Sequence, residues 1–268
     1  MKVALIPPKG WESYLTSSTG VLMALALETT MDSPAYMTAF KLLKTASTNK
    51  WIMLDNGAAE GQQCKNGALI RFAAQLEADE IILPDVMGSR TETMSRVSDF
   101  FRNTKWDREL SYMGVVQGDS IRHAQQCVHE YAELIVRQRD FPNELRPIKT
   151  LGIPRRLITV TDSMSVRIDL AQWIQEQYPD RFGIHMLGAA GVWPQEVKYI
   201  SKYAPFVRSI DTSLPFNFAL AKVDLALLAP GAQLSRSRPP GYMVGRLINQ
   251  APKLVQKNID TYLSWAKD

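Results

Sequence analysis

Three aspartates and a glutamine stand where short apolar runs of this 268-residue chain break off. Asp55, Asp85, Gln117 and Asp211 fall in Leu54-Asp55-Asn56-Gly57, Leu83-Pro84-Asp85, Val116-Gln117-Gly118-Asp119 and Ile210-Asp211-Thr212-Ser213. Two further runs end in Leu151-Gly152 and Met186-Leu187-Gly188. A carboxylate can attack a carbon centre, move a proton to or from a leaving group, or accept N–H donors from a ligand. One Asp before a Gly is ordinary, because Asp is a common helix N-cap. Several at the ends of separate strands form a site if those ends converge. Other chemistries are poorly supplied. The two cysteines, Cys64 and Cys127, make neither a disulfide framework nor a Cys-x-x-Cys zinc site. There are three histidines, His123, His129 and His185, and no metal site is expected from them. His185 lies two residues after Gly183 in a strand-like stretch, where packing or hydrogen bonding is its ordinary role. Carboxylates are left as the obvious catalytic groups.

The elements that would position them alternate in type. Strand candidates are Val3 to Ile6, Val21 to Ala26, Trp51 to Leu54, Glu80 to Leu83, Tyr112 to Val116, Lys149 to Leu151, Gly183 to Met186 and Val207 to Ile210. Helical patterns lie between them. Ser33 to Lys44 opens with a Ser cap and Pro34 in the first turn. Asp119 to Arg137 and Ser163 to Gln177 carry apolar residues at helical spacing, and Pro194 to Tyr203 starts on a proline. Eight strands alternating with helices predict a single α/β domain, a (β/α)8 TIM-type barrel, whose active site lies at the C-terminal strand ends. The second strand is the least distinctive, because an apolar run of that length also suits a helix.

Composition fits this picture: 46% of residues are hydrophobic and 22% charged. No apolar run reaches the roughly 18–20 residues that span a bilayer, so no membrane association is expected. Val21 to Leu27 stops at Glu28, and the N-terminal run stops at Pro7-Pro8, short of a signal-peptide core of roughly 7–15 residues. A cytoplasmic location is the expectation. Net charge is +4, permissive for a polyanionic partner. From Arg236 to Lys257 the chain holds Arg236, Arg238, Arg246, Lys253 and Lys257 with no acidic residue. The Pro-rich piece Arg238-Pro239-Pro240-Gly241 separates a barrel domain, residues 1–235, from a basic helical appendage, residues 236–268, with a final helix over Tyr242 to Ala266.

The order of these clusters resembles the queuine and archaeosine tRNA-guanine transglycosylase superfamily. Gly114-Val115-Val116-Gln117-Gly118 matches that family's Gly-Ile/Val-Val-Gln-Gly and is the most specific likeness. Leu54-Asp55-Asn56-Gly57-Ala58-Ala59 stands where the family has Asp-Ser-Gly-Gly-Phe-Gln. Asp85 in Leu-Pro-Asp-Val-Met-Gly looks like the family's base-contacting aspartate. Leu151-Gly152-Ile153 resembles its Gly-Leu segment, Met186-Leu187-Gly188-Ala189-Ala190-Gly191 its Leu-Met-Gly-Val-Gly stretch, and Ser209-Ile210-Asp211-Thr212-Ser213 the motif of the nucleophilic aspartate. The likeness covers roughly Trp51 to Ser213. It departs at Gly57-Ala58-Ala59-Glu60, which lacks the aromatic beside the base. It departs again at the Cys-Cys-Cys-His zinc subdomain, which two upstream cysteines cannot build. Because that subdomain helps hold tRNA, the nearer likeness is to the short phage-type or genomic-island relatives that insert 7-deazaguanine bases into DNA.

The resemblance implies DNA and a free 7-deazaguanine base as partners, tRNA as the alternative polymer, no cofactor, and a possible homodimer. It implies Asp211 as nucleophile and Asp55 as acid–base group. Asp85, Gln117, Gly118, Leu151, Gly152 and Met186 would contact the base, with Met186 against its face; the other reading of Met186 is simple barrel core. Arg155 and Arg156, then Arg236 and Arg238, would meet the nucleic-acid backbone, and Trp193 could stack on a base. A small-molecule barrel enzyme is the main rival in another class. Its expected signs are a phosphate-gripping glycine loop, a Schiff-base lysine or clustered metal ligands. None stands out, and Lys149 sits at the wrong end of its strand. A non-catalytic nucleic-acid-binding protein would not favour three rim carboxylates, which repel phosphate.

Overall fold

Each of the eight apolar runs forms a strand, and each ladder between them is parallel. The computed structural model describes the chain apart from residues 47–49, 108, 135–146, 164, 191–194, 229–251 and 268. The strands are β1 (Lys2–Leu5), β2 (Val21–Leu25), β3 (Trp51–Asp55), β4 (Glu80–Ile82), β5 (Ser111–Val115), β6 (Ile148–Pro154), β7 (Gly183–Leu187) and β8 (Ser209–Thr212). Between them lie α1 (Glu28–Met31), α2 (Pro34–Ala46), α3 (Asn66–Leu76), α4 (Arg90–Asn103), α5 (Ile121–Glu133), α6 (Arg156–Thr161), α7 (Val166–Gln177) and α8 (Glu196–Tyr203); α9 (Leu214–Leu220) and α10 (Pro252–Trp265) follow β8. The sheet order β1-β8-β7-β6-β5-β4-β3-β2 curls an α/β sheet into a (β/α)8 TIM-type barrel with a C-terminal helix.

The barrel is stitched shut between β1 and β2 by two side-chain hydroxyls and one main-chain bond instead of a ladder. The Val3 and Leu5 amides donate to Thr19 Oγ1 (2.7 Å) and Ser18 Oγ (3.0 Å), and Thr19 N–H donates to the Val3 carbonyl at 2.8 Å. The hydroxyls thus satisfy edge amides that would otherwise stand open.

Alternation along the strands makes two cores. Leu22, Ala24, Ile52, Leu54, Ile184, Met186 and Ile210 face the helices, while Val21, Met23, Leu25, Met53, Ile82, Met113 and Val115 fill the barrel interior. Every residue of β2 is buried, which is why its run has no polar face to distinguish strand from helix. At the N-terminal end a polar cluster closes the barrel. Buried Glu80 accepts from Arg208 Nη2 (2.5 Å), Ser111 Oγ (3.1 Å) and Trp51 Nε1 (3.3 Å), and Arg208 Nη1 donates to Thr150 Oγ1 at 3.1 Å.

Some boundaries differ from the sequence expectation. β6 continues to Pro154, three residues past Leu151, because Ile153 still packs outward and Pro154 still pairs with Leu187. β8 runs through Thr212, so Asp211 lies within the strand. The helix expected from Asp119 starts at Ile121, capped by Ser120 Oγ accepting from the His123 amide. Pro194 lies outside the described residues, as do residues 242–251 of the expected final helix. The described part of that helix, α10, buries Val255, Ile259 and Tyr262. Asn258 ties it to the segment after β8, accepting from the Leu225 amide (2.9 Å) and donating to the carbonyls of Val223 (2.9 Å) and Pro215 (3.3 Å).

Candidate active site

Asp211 occupies an inward position of β8, on the face of Ser209 and opposite the outward Ile210, in register with Ala4 of β1. A side chain so placed is held by a strand that is paired on both sides. Asp211 Oδ1 accepts the Gly188 amide at 2.7 Å and lies 3.1 Å from His185 Nε2. His185 is wholly buried beneath it on β7, and its Nδ1 is 2.8 Å from Ser209 Oγ. Burial holds the imidazole below its usual titration range, against the opposing pull of the Asp211 hydrogen bond and charge.

The Gly188 amide is itself positioned from behind. Gly188 adopts the left-handed conformation (φ 68°), which presents its N–H to Asp211 and its carbonyl to Arg167 Nη1 at 2.7 Å. Arg167 is fully buried and paired with Glu196 (3.2 Å), which also accepts the Ala190 amide at 3.1 Å. Burial pushes the Glu196 carboxyl up, opposed chiefly by the Arg167 charge.

A second polar group sits across the same rim. Asp85 Oδ2 accepts from Gln117 Nε2 at 2.6 Å and its Oδ1 from Asn56 Nδ2 at 2.9 Å. Asn56 also donates to the Leu83 carbonyl at 2.6 Å and accepts the Ala58 amide at 2.7 Å. Gln117 Oε1 accepts the Gly88 amide at 2.9 Å. Burial raises the Asp85 carboxyl above the usual range, opposed by these two side-chain donors and the charge of Arg96. Asp55, half-buried, ends β3 on the inward face shared with Met53, at the rim that also carries Asp211.

The remaining expected residues divide. Gly118 is required by packing: a Cβ there would lie 2.7 Å from Ala124 N in the first turns of α5. Gly114, which opens the same motif, leaves room for the Tyr131 ring, 2.7 Å from the position of a Cβ. Met186 is a correction. Strand alternation turns it outward into the core between sheet and helices, and Leu187 is the β7 side chain that packs against the interior cluster. Leu151 is likewise outward, and Leu151-Gly152 lies inside β6, not at its end, with the Gly152 carbonyl accepting the Val116 amide at 2.9 Å. A Cβ on Gly152 would fall 2.5 Å from Leu187 Cδ1, so this glycine makes room for the interior core.

Arg155 and Arg156 follow β6 at the rim and are exposed. The Arg156 guanidinium lies against Gly88, 3.1–3.4 Å from where a Cβ would stand, and so borders the Asp85–Gln117 group. Arg155 borders the Asp211 side: its amide donates to the Leu187 carbonyl at 3.0 Å and its Cβ lies 3.8 Å from the position of a Gly188 Cβ. Arg236, Arg238, Arg246 and Trp193 lie outside the described residues. Among the described residues no three His, Cys, Asp or Glu side chains gather in a way that could hold a metal ion, and no helix is long and apolar enough to cross a membrane.

Sequence reasoning passed over Asn56, Arg167 and Glu196 as site-building residues. Asn56 had a signal, its place beside Asp55 in a rim cluster. Arg167 and Glu196 had none, because they lie within helical patterns where charged residues usually face solvent. No protein-family model matches the chain, and no curated protein matches its sequence.

Proposed function

We propose that this chain is a DNA-guanine transglycosylase, exchanging guanine for a 7-deazaguanine base. The observation that carries the proposal is the gathering, at one barrel rim, of the strand-held Asp211 carboxylate and the buried Asp85–Gln117 pair. The motif order that resembles the transglycosylases points the same way.

In this mechanism Asp211 attacks C1′ of the target nucleotide as the glycosidic bond to guanine breaks, giving a covalent glycosyl–aspartate intermediate. Asp55 gives a proton to the departing guanine and takes one from the incoming base. That base then attacks C1′ and releases Asp211, a double displacement like that of retaining glycosidases. Asp85 Oδ1 accepts from Asn56 and Oδ2 from Gln117, and a carboxylate oxygen can accept two bonds. Asp85 therefore has capacity for the two adjacent N–H donors of a guanine edge. The nucleotide must be flipped or single-stranded to enter, and Arg155 and Arg156 are the described cations at the mouth. DNA is placed ahead of tRNA on the likeness to the short DNA-modifying relatives, and the exchange assay decides between the two polymers.

The test is a base-exchange assay with guanine-containing DNA or tRNA and a 7-deazaguanine base, read by mass spectrometry with Asp211→Ala alongside. Exchange in DNA that vanishes in the variant is the expected result. Exchange confined to tRNA would move the assignment to a zinc-free tRNA-guanine transglycosylase. No exchange in either polymer would return the chain to the small-molecule barrel enzymes.

A further inference from the structure

We propose that Ser209 and His185 form a relay inside the barrel that orients the Asp211 carboxylate and keeps it ionised. The relay's catalytic purpose rests on the reading of Asp211 as nucleophile; its geometry does not.

Ser209, His185 and Asp211 share the inward face of two adjacent strands, with His185 opposite Ser209 in the β7–β8 register. Ser209 and His185 are both wholly buried, so each polar atom there needs a partner from the protein. An ionised carboxylate can only accept hydrogen bonds, so the Nε2 facing Asp211 must carry the proton. The ring is neutral, because burial disfavours its charged form. Its Nδ1 is therefore an acceptor, and the Ser209 hydroxyl, 2.8 Å away, must be the donor. The opposite tautomer would set a nitrogen lone pair against the carboxylate. Ser209 thus selects the tautomer, His185 delivers the N–H, and Asp211 Oδ1 receives it together with the Gly188 amide. Two donors on one oxygen fix the rotation of the carboxylate and favour its charged form.

Other charged and titratable groups face this unit from every side. Glu80 and Arg208 lie below it in the barrel, Tyr262 of α10 is near enough for its hydroxyl to feel the Asp211 charge, and the Arg167–Glu196 pair stands behind Gly188. All remain when only Ser209 or His185 is changed. His185 and Ser209 are positioning residues, since they act on substrate through Asp211.

The experiment titrates Asp211 directly in the intact protein, by carbon-13 NMR of aspartate labelled at its side-chain carboxyl. The Asp211→Asn spectrum assigns the signal, and pH profiles of kcat and KM are recorded in parallel. In His185→Ala the Asp211 midpoint should rise by about one pH unit or more, the size expected for a lost hydrogen bond to the charged form. The acid limb of kcat/KM should move up with it while KM for the free base stays unchanged. His185→Asn, which can still offer an N–H, should recover part of the shift, and the midpoint in Ser209→Ala should fall between those of His185→Ala and wild type. An unmoved Asp211 midpoint in folded His185→Ala, or in Ser209→Ala if the former does not fold, would overturn the relay. Wild-type protein that exchanges no base would sink the transglycosylase reading, and the NMR titration would still decide the relay.

Discussion

Gln117 donates to Asp85 at 2.6 Å while its own carbonyl accepts the Gly88 amide at 2.9 Å, so its amide cannot turn over without losing both bonds. Its donor end is thereby committed to a carboxylate that burial already pushes above its usual range.

Replacing Gln117 by Glu sets a second carboxylate against Asp85, and two carboxylates sharing one site cannot both ionise, so one retains a proton to higher pH. A group whose folded pKa is raised contributes stability that is full below its unfolded value and is lost as pH rises through its folded one. Wild type already carries a smaller version of this through Asp85. Urea unfolding at about pH 5 and about pH 8 should therefore show Gln117→Glu losing about 1–3 kcal/mol more than wild type over that interval. A variant whose stability rises with pH relative to wild type would show that the two side chains do not meet.

Gly152 leaves no room for a side chain inside the barrel. A methyl group there would meet Leu187 Cδ1 at 2.5 Å and Met113 Sδ at 2.9 Å. Gly152→Ala should cost about 1–3 kcal/mol by overpacking, and Leu187→Ala about 2–5 kcal/mol by leaving a cavity. Combined, they should cost clearly less than the two added together, because the new methyl occupies the space that Leu187 vacates. Chemical denaturation of the three variants measures this coupling, and strict additivity would refute the contact.

The Arg167–Glu196 pair lends itself to a similar cycle. Removing one member of a buried ion pair leaves the other charge uncompensated, so Arg167→Met should lower stability by about 3–5 kcal/mol. Adding Glu196→Gln should recover part of that loss by removing the stranded carboxylate. Arg167→Met also frees the Gly188 carbonyl, and so loosens the amide that Asp211 accepts. Base exchange by Arg167→Met should accordingly fall in kcat by about tenfold or more, the equivalent of one weakened hydrogen bond. An unchanged kcat in the folded variant would confine the pair to a structural role.

All eight strands were legible in the sequence because Gly, Pro and polar residues punctuate short apolar runs, and the alternation with helices named the barrel. The face of each residue was less legible. Met186 and Leu187 are adjacent and both apolar, and only the register with β6 and β8 shows that Met186 turns outward. The extent of β6 was hidden for a related reason: Gly152 and Pro154 look like turn residues, yet both remain paired with β7. Of the site, the rim carboxylates and Gln117 could be found as polar residues ending apolar runs. Asn56 stood beside Asp55 in a rim cluster, but the His185–Asp211 contact and the Arg167–Glu196 support join distant segments, such as the 29 positions that separate Arg167 from Glu196, and no local pattern encodes them.

Arg156 offers the most direct test of the polymer. Its guanidinium borders Gly88, and through it the Gln117–Asp85 group, so a strand whose base occupies the site would pass within reach of its charge. A lysine or arginine that neutralises one phosphate contributes about 0.7–0.9 to the slope of log affinity against log salt. Arg156→Ala should weaken DNA binding at every sequence tested and reduce that slope by about this amount, while KM for the free 7-deazaguanine base stays at the wild-type value. Binding measured by fluorescence anisotropy across a salt series gives both numbers. A slope identical to wild type would remove Arg156 from the backbone contact, and a raised KM for the free base would assign it to the base pocket instead.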